Sequence, residues 1–145
     1  MGEPNLVRLR VQGFHCDLYG HVNNARYLEF LEGARWETLD HLLDVEAFHR
    51  RGWTFVIVRI EIDYRAPSTL GDELGIRTWR VEMGQSSVKL RQIIRRPADD
   101  RLVAEAMVRF VVIDDRTGRP KKVSGRLREE LELLPALPAE GGDPA

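Results

Sequence analysis

The sequence predicts an α+β domain in which one antiparallel sheet of five strands wraps around a single long helix. Three observations carry that prediction. Apolar residues recur at helical spacing from Asn24 to Leu43, with one alternating segment before this stretch and four after it. The connections among the four later segments are short and rich in Gly, Pro and Asp, which implies antiparallel neighbours in a meander. Each strand offers one apolar face and the helix a broad apolar stripe, so sheet and helix are each other's natural cover.

The chain has 145 residues, one domain's worth, and the sequence divides into a single domain over 1–134 followed by a disordered tail over 135–145. With 43% hydrophobic and 31% charged residues it reads as an ordinary soluble globular chain. A net charge of -1 gives no electrostatic reason to expect nucleic acid or a membrane surface as partner. The single cysteine, Cys16, excludes an internal disulfide and fits a reducing compartment. There is neither an apolar signal region at the start nor a run of ~20 apolar residues, so the expected location is the cytoplasm.

The elements follow in order. From Leu6 to about His15, Val7, Leu9 and Val11 alternate with Arg8, Arg10 and Gln12, the period of a half-buried strand. A loop covers Asp17 to Asn23. The helix then runs on Tyr27, Leu28, Leu31, Ala34, Leu39, Leu42 and Leu43, with Asn23 or Asn24 as its N-cap. Gly33 in mid-helix costs about 1 kcal/mol against alanine, so close packing of another backbone is expected there. Ala47 to Gly52 reads as a connection with one helical turn.

The strand Thr54 to Tyr64 turns Val56, Val58, Ile60, Ile62 and Tyr64 to one side. In Glu73 to Met83 the apolar phase switches between Ile76 and Trp79, which suggests a bulge or strong twist. Ser86 to Arg96 follows with Val88, Leu90 and Ile94 inside. Leu102 to Asp114 presents Ala104 and Ala106, small enough to leave room for a helix. Ser124 precedes a short helix carried by Leu127, Leu131 and Leu134 and stopped by Pro135. The outer sheet face mixes Arg59, Glu61, Asp63, Lys89, Arg91 and Glu105, the composition of a solvated surface or of a polar contact between subunits.

The chemistry concentrates between Asp17 and Arg35. A carboxylate facing the start of a helix is a reaction centre in outline, because the first peptide N–H groups have no intrahelical partner and carry partial positive charge. His15, Cys16, Asp17 and His21 include metal-ligand types, but their spacing matches no zinc pattern and no metal is expected. Cys16 reads as a small hydrophobe rather than a nucleophile.

The run Asp17-Leu-Tyr-Gly20-His21-Val22-Asn23-Asn24-Ala-Arg-Tyr27-Leu28, with Glu32-x-x-Arg35 after it and Ile62-Asp-Tyr64-Arg-Ala-Pro67 later, resembles the hotdog-fold acyl-CoA thioesterases of the 4-hydroxybenzoyl-CoA thioesterase type. The resemblance covers about residues 6–115. It implies hydrolysis of acyl-CoA to free acid and coenzyme A with no metal and no cofactor. It also implies a homodimer or homotetramer with active sites at the subunit interface.

On that resemblance Asp17 is the catalytic residue, as general base or nucleophile, and the physical reading makes the backbone N–H of Asn24 the oxyanion donor. Gly20, His21, Asn23 and Tyr27 are expected around the substrate: Gly20 for a tight turn, His21 to fix the loop, Asn23 as cap, Tyr27 as wall. Ser86 and Ser87 resemble a polar position near the family's substrate site. Glu32 and Arg35 are expected to pair, on a surface or across a dimer. Arg95, Arg96, Lys121, Lys122, Arg126 and Arg128 are candidates for the phosphates of coenzyme A. The alternatives are an acyl carrier protein thioesterase and a non-catalytic binder of acyl-CoA or acyl carrier on the same fold.

Overall fold

In the computed structural model, which describes residues 5–138, β1 (Leu6–Arg10) leads through a short 3-10 turn (Gly13–His15) to the 19-residue helix α1 (Asn24–Leu42). There follow α2 (Val45–Arg50), β2 (Trp53–Tyr64), β3 (Glu73–Met83), β4 (Val88–Arg96), β5 (Arg101–Asp114), the two-residue β6 (Arg119–Pro120) and α3 (Gly125–Leu131). All pairings between these strands are antiparallel, and the main sheet runs β1-β3-β4-β5-β2, with β6 beside β5. Tyr27, Phe30, Leu31, Ala34 and Leu39 of α1 join Leu74, Ile76, Leu90, Ile94 and Val108 of the sheet in one buried core. Ala104 and Ala106 of β5 belong to the same core, as their size suggested.

Several expectations are corrected. The first strand stops at Arg10 rather than about His15, because the Gly13–His15 turn folds back: the Gln12 N–H donates to His15 Nδ1 at 2.9 Å. The meander holds only for β3, β4 and β5. The connection 65–72 carries the chain from one side of the sheet to the other, so β2 pairs with β5 at the far edge and not with β3. Within β2 the register shifts between Ile57 and Arg59, leaving Val58 as a bulge. A bulge reverses the facing of all later residues, so Phe55 and Ile57 precede it on the side where Ile60, Ile62 and Tyr64 follow. Val58 is 53% exposed instead of inside. At Gly33 an added Cβ would meet nothing within 4 Å, so no backbone packs closely there.

β3 does carry a bulge, but between Arg80 and Glu82 rather than between Ile76 and Trp79, where the register with β4 runs unbroken. At the chain's end Arg80 N–H donates to Pro135 O and Leu137 N–H to Arg80 O, both at 2.8 Å, so 135–137 is tied to β3 rather than loose. The tail from 139 onward lies outside the described residues.

Candidate active site

The Asp17 loop is a miniature hairpin. Asp17 N–H donates to His21 O at 2.9 Å, Gly20 N–H donates to Asp17 O at 3.0 Å, and Cys16 bridges Val22. Gly20 takes φ 78°, a left-handed conformation in which a side chain would be strained. Asp17 Oδ1 accepts the Tyr19 N–H at 2.9 Å, which fixes the carboxylate, while Oδ2 takes no hydrogen bond among the described residues. The main chain of His21, not its ring, fixes the loop.

Asn23 caps α1 and its Oδ1 accepts the Ala25 N–H at 3.1 Å. The neighbouring amides are spoken for as well: Asn23 N–H donates to His15 O and Arg26 N–H to Asn23 O, each at 2.9 Å. Asn24 N–H, between them, has no acceptor among the described residues. It is a donor held in place by bonds on both sides of it, at the positive end of a five-turn helix.

Asp17, His21, Asn23, Asn24, Tyr27 and Tyr64 line one open cavity of about 430 Å³. Tyr27 is buried, its ring 5.6 Å from that of Tyr64, and burial pushes its phenol above the ordinary range. Tyr64 was not anticipated at the site. Its hydroxyl donates to the Asn24 carbonyl at 3.1 Å. The only signal for it in the sequence was its place in the Ile62–Pro67 motif.

Ser86 and Ser87 are not brought to this cavity within one chain. They sit at the β3–β4 turn beside Val88, whereas Tyr64 lies in the row of Ala104 and Ile94, six residues along β4 or ~20 Å away. Arg35 and Glu32 do not form an ion pair. Arg35 is only 8% exposed and donates to Gln92 Oε1 at 3.0 Å, while Gln92 Nε2 donates to Leu31 O and Thr78 Oγ1, both at 3.0 Å. Burial lowers the Arg35 pKa from its ordinary value. Among the basic candidates, Arg96 holds Pro67 O, Asp72 and Asp99, and Arg126 and Arg128 pair with Glu130 and Glu132. Among the described residues no cluster of three or more His, Cys, Asp or Glu suits a metal ion, and no helix is long and apolar enough to cross a membrane.

A carboxylate with an open oxygen and an open helix-start amide, on residues that line one cavity, match the polarity of acyl transfer from a thioester. Comparison with known proteins points the same way. Residues 12–131 match the thioesterase-like superfamily. The chain is 41% identical over 128 residues to the long-chain acyl-CoA thioesterase FadM of Escherichia coli K12, covering 88% of this chain and 97% of that protein. It is 33% identical over 115 residues to the acyl-CoA thioester hydrolase YbgC of Escherichia coli O6:H1, covering 78% and 84%. The crystal structure of YbaW, a probable thioesterase from Escherichia coli, superposes with a TM-score of 0.85 at 39% identity over 90% of this chain and 98% of that one. The chain therefore belongs to the thioesterase-like superfamily: it is a thioester hydrolase on the hotdog fold.

Proposed function

We propose that the chain hydrolyses acyl-CoA thioesters, with Asp17 as general base or nucleophile and the Asn24 amide as oxyanion donor. The observation that supports this most is the unpaired Asn24 N–H, fixed between bonded neighbours and lining one cavity with Asp17. As a base, Asp17 takes a proton from water while the water oxygen bonds to the carbonyl carbon. As a nucleophile, it bonds to that carbon itself and water later cleaves the anhydride. In both routes the carbonyl π pair moves onto oxygen, returns as the C–S bond breaks, and leaves coenzyme A as the thiolate to be protonated. The developing oxyanion is what the Asn24 N–H and the helix dipole stabilise, a contribution of roughly 3 kcal/mol for one such donor.

The acyl chain is assigned to a groove of about 320 Å³ farther along the seam between α1 and β2, walled mainly by Trp36, Leu39, Phe55, Ile57 and Phe110, with Glu32 and Arg35 also on its lining. The names of the similar proteins, long-chain acyl-CoA thioesterase among them, favour acyl-CoA over other thioesters.

The working unit is proposed to be a homodimer or a tetramer of such dimers. β2 forms the outer edge of the sheet and exposes Val56, Ile57 and Val58, an edge suited to pairing with a second copy. Antiparallel pairing of two such edges sets the Trp53 end of one protomer beside the Tyr64 end of the other. The Ser86–Ser87 turn lies toward that Trp53 end, so any contact of these serines with substrate is made across subunits. The single cysteine suits the reducing cytoplasm.

The test is release of free thiol from short, medium, long and aromatic acyl-CoAs and from the same acyl groups on acyl carrier protein. Hydrolysis of at least one acyl-CoA class is expected. Hydrolysis confined to the carrier protein would replace the substrate, and binding without hydrolysis of any would replace the enzyme by a binding protein.

A further inference from the structure

The bulge at Val58 has a consequence at the other end of β2. It sets the phase in which Ile60, Ile62 and Tyr64 turn toward α1, and Tyr64, the last residue of the strand, arrives at the first turn of the helix. There its hydroxyl donates to the Asn24 carbonyl at 3.1 Å. That carbonyl shares a peptide plane with the Ala25 N–H, which donates to Asn23 Oδ1. The plane is thus gripped at both edges, by Tyr64 at its oxygen and by Asn23 at its nitrogen. The residue before it along the chain, Asn23, is held through its own N–H and C=O by His15 and Arg26. Between these two restraints stands the open Asn24 N–H.

We infer that Tyr64 is a positioning residue for the oxyanion donor, an inference that rests on the site reading proposed above. Its role follows from where rotation is still available. The Asn24 N–H lies in the Asn23–Asn24 peptide plane, whose carbonyl accepts the Arg26 N–H. That plane hinges at Asn24 Cα on the Asn24–Ala25 plane, so its aim depends on where the second plane is held, and the Tyr64 hydroxyl holds it at the carbonyl. The side chain is 47% exposed, and its ring lies against Tyr27 along the wall of the same cavity, so water is the competing partner for the hydroxyl. A hydrogen bond in competition with water contributes little to folding, but a displaced donor is felt in full when the carbonyl oxygen becomes charged.

Tyr64→Phe keeps the ring and removes the grip. The test compares two non-hydrolysable acyl-CoA analogues on wild type and variant: a thioether, which has no carbonyl at the scissile position, and a trifluoromethyl ketone, whose hydrate mimics the tetrahedral adduct. Wild type is expected to bind the ketone more tightly than the thioether. The variant should lose roughly five- to tenfold in ketone affinity and in kcat, the worth of one such bond, with thioether affinity and KM unchanged. If wild type prefers the ketone and the variant keeps the whole preference, Tyr64 is not a positioning residue and the site reading stands. Equal weakening of both analogues would make Tyr64 a wall residue and overturn the inference as well. If wild type shows no preference for the ketone, the oxyanion donor itself is misplaced and both readings fall.

Discussion

Helix α1 meets two sets of polar groups, and they are arranged in opposite ways. At its first turn, Asp17 Oδ2 and the Asn24 N–H face a cavity with no protein partner among the described residues. Three turns on, Arg35, Gln92, Thr78 and the Leu31 carbonyl are bonded to one another, with Gln92 0% exposed and Arg35 8% exposed at the floor of the α1–β2 groove. Both sets tie the helix to neighbouring chain. In the buried set every bond is internal, so it acts as a strut. In the open set the amides of Asp17, Gly20, Asn23, Ala25 and Arg26 are bonded while Asp17 Oδ2 and the Asn24 N–H are not, so the scaffold fixes two polar groups without consuming them. The lesson is that position in the helix matters less than whether the bonds close on themselves.

Substitutions at each set put the contrast at risk in different currencies. At the open set Asp17→Asn, which keeps the Oδ1 acceptor for the Tyr19 N–H, is expected to lower kcat by about 10²–10⁴, the usual contribution of a positioned acid or base, with no change in melting temperature. A fall in stability alongside the rate would make Asp17 a loop residue. At the buried set Gln92→Leu strands the Arg35 cation and is expected to cost about 3 kcal/mol in urea unfolding. Arg35→Met should cost less, because it removes the charge instead of stranding it; the reverse order would show that the network is not what Gln92 holds.

Smaller effects sharpen the picture. Since an added Cβ at Gly33 meets nothing within 4 Å, Gly33→Ala is expected to stabilise by about 0.5–1 kcal/mol in the same unfolding assay. The least effect concerns His15. Burial, with Arg26 nearby, holds its pKa below the ordinary 6.5. The unfolded chain therefore takes up the proton first as pH falls, so the stability linked to this group is complete above 6.5 and declines below it. His15→Asn, which keeps an acceptor for the Gln12 N–H without titrating, should flatten the change in melting temperature between about pH 7.5 and about pH 5.5.

The open set was far more legible in the sequence than the buried one. A turn glycine, a capping asparagine and a loop carboxylate bond to neighbours a few residues away, so the local geometry of Asp17, Gly20, Asn23 and Asn24 is written in local spacing, while the role proposed for Asp17 came from the motif around it. Arg35 does not: a charged residue on a helix reads as solvent-facing, and its partner Gln92 is 57 residues distant. The Val58 bulge was hidden because Phe55, Val56, Ile57 and Val58 are all apolar, so alternation could not reveal the phase change. The place of β2 beside β5 depends on a connection, 65–72, whose length permits a crossover but does not require one. Tyr64 fell outside the site for the same reason, since its contact with Asn24 depends on both the bulge and the crossover. Gly33 failed the other way: a helical glycine suggested close packing where there is none.

The central claim is that the Asn24 amide is held open to receive a developing oxyanion. Its most direct test is the amide proton resonance of Asn24 on adding the trifluoromethyl ketone analogue of acyl-CoA. Donation to the adduct oxygen is expected to move that resonance downfield, well beyond those of Asn23, Ala25 and Arg26, whose N–H groups already have partners. An Asn24 resonance that stays in place while the analogue binds would contradict the account.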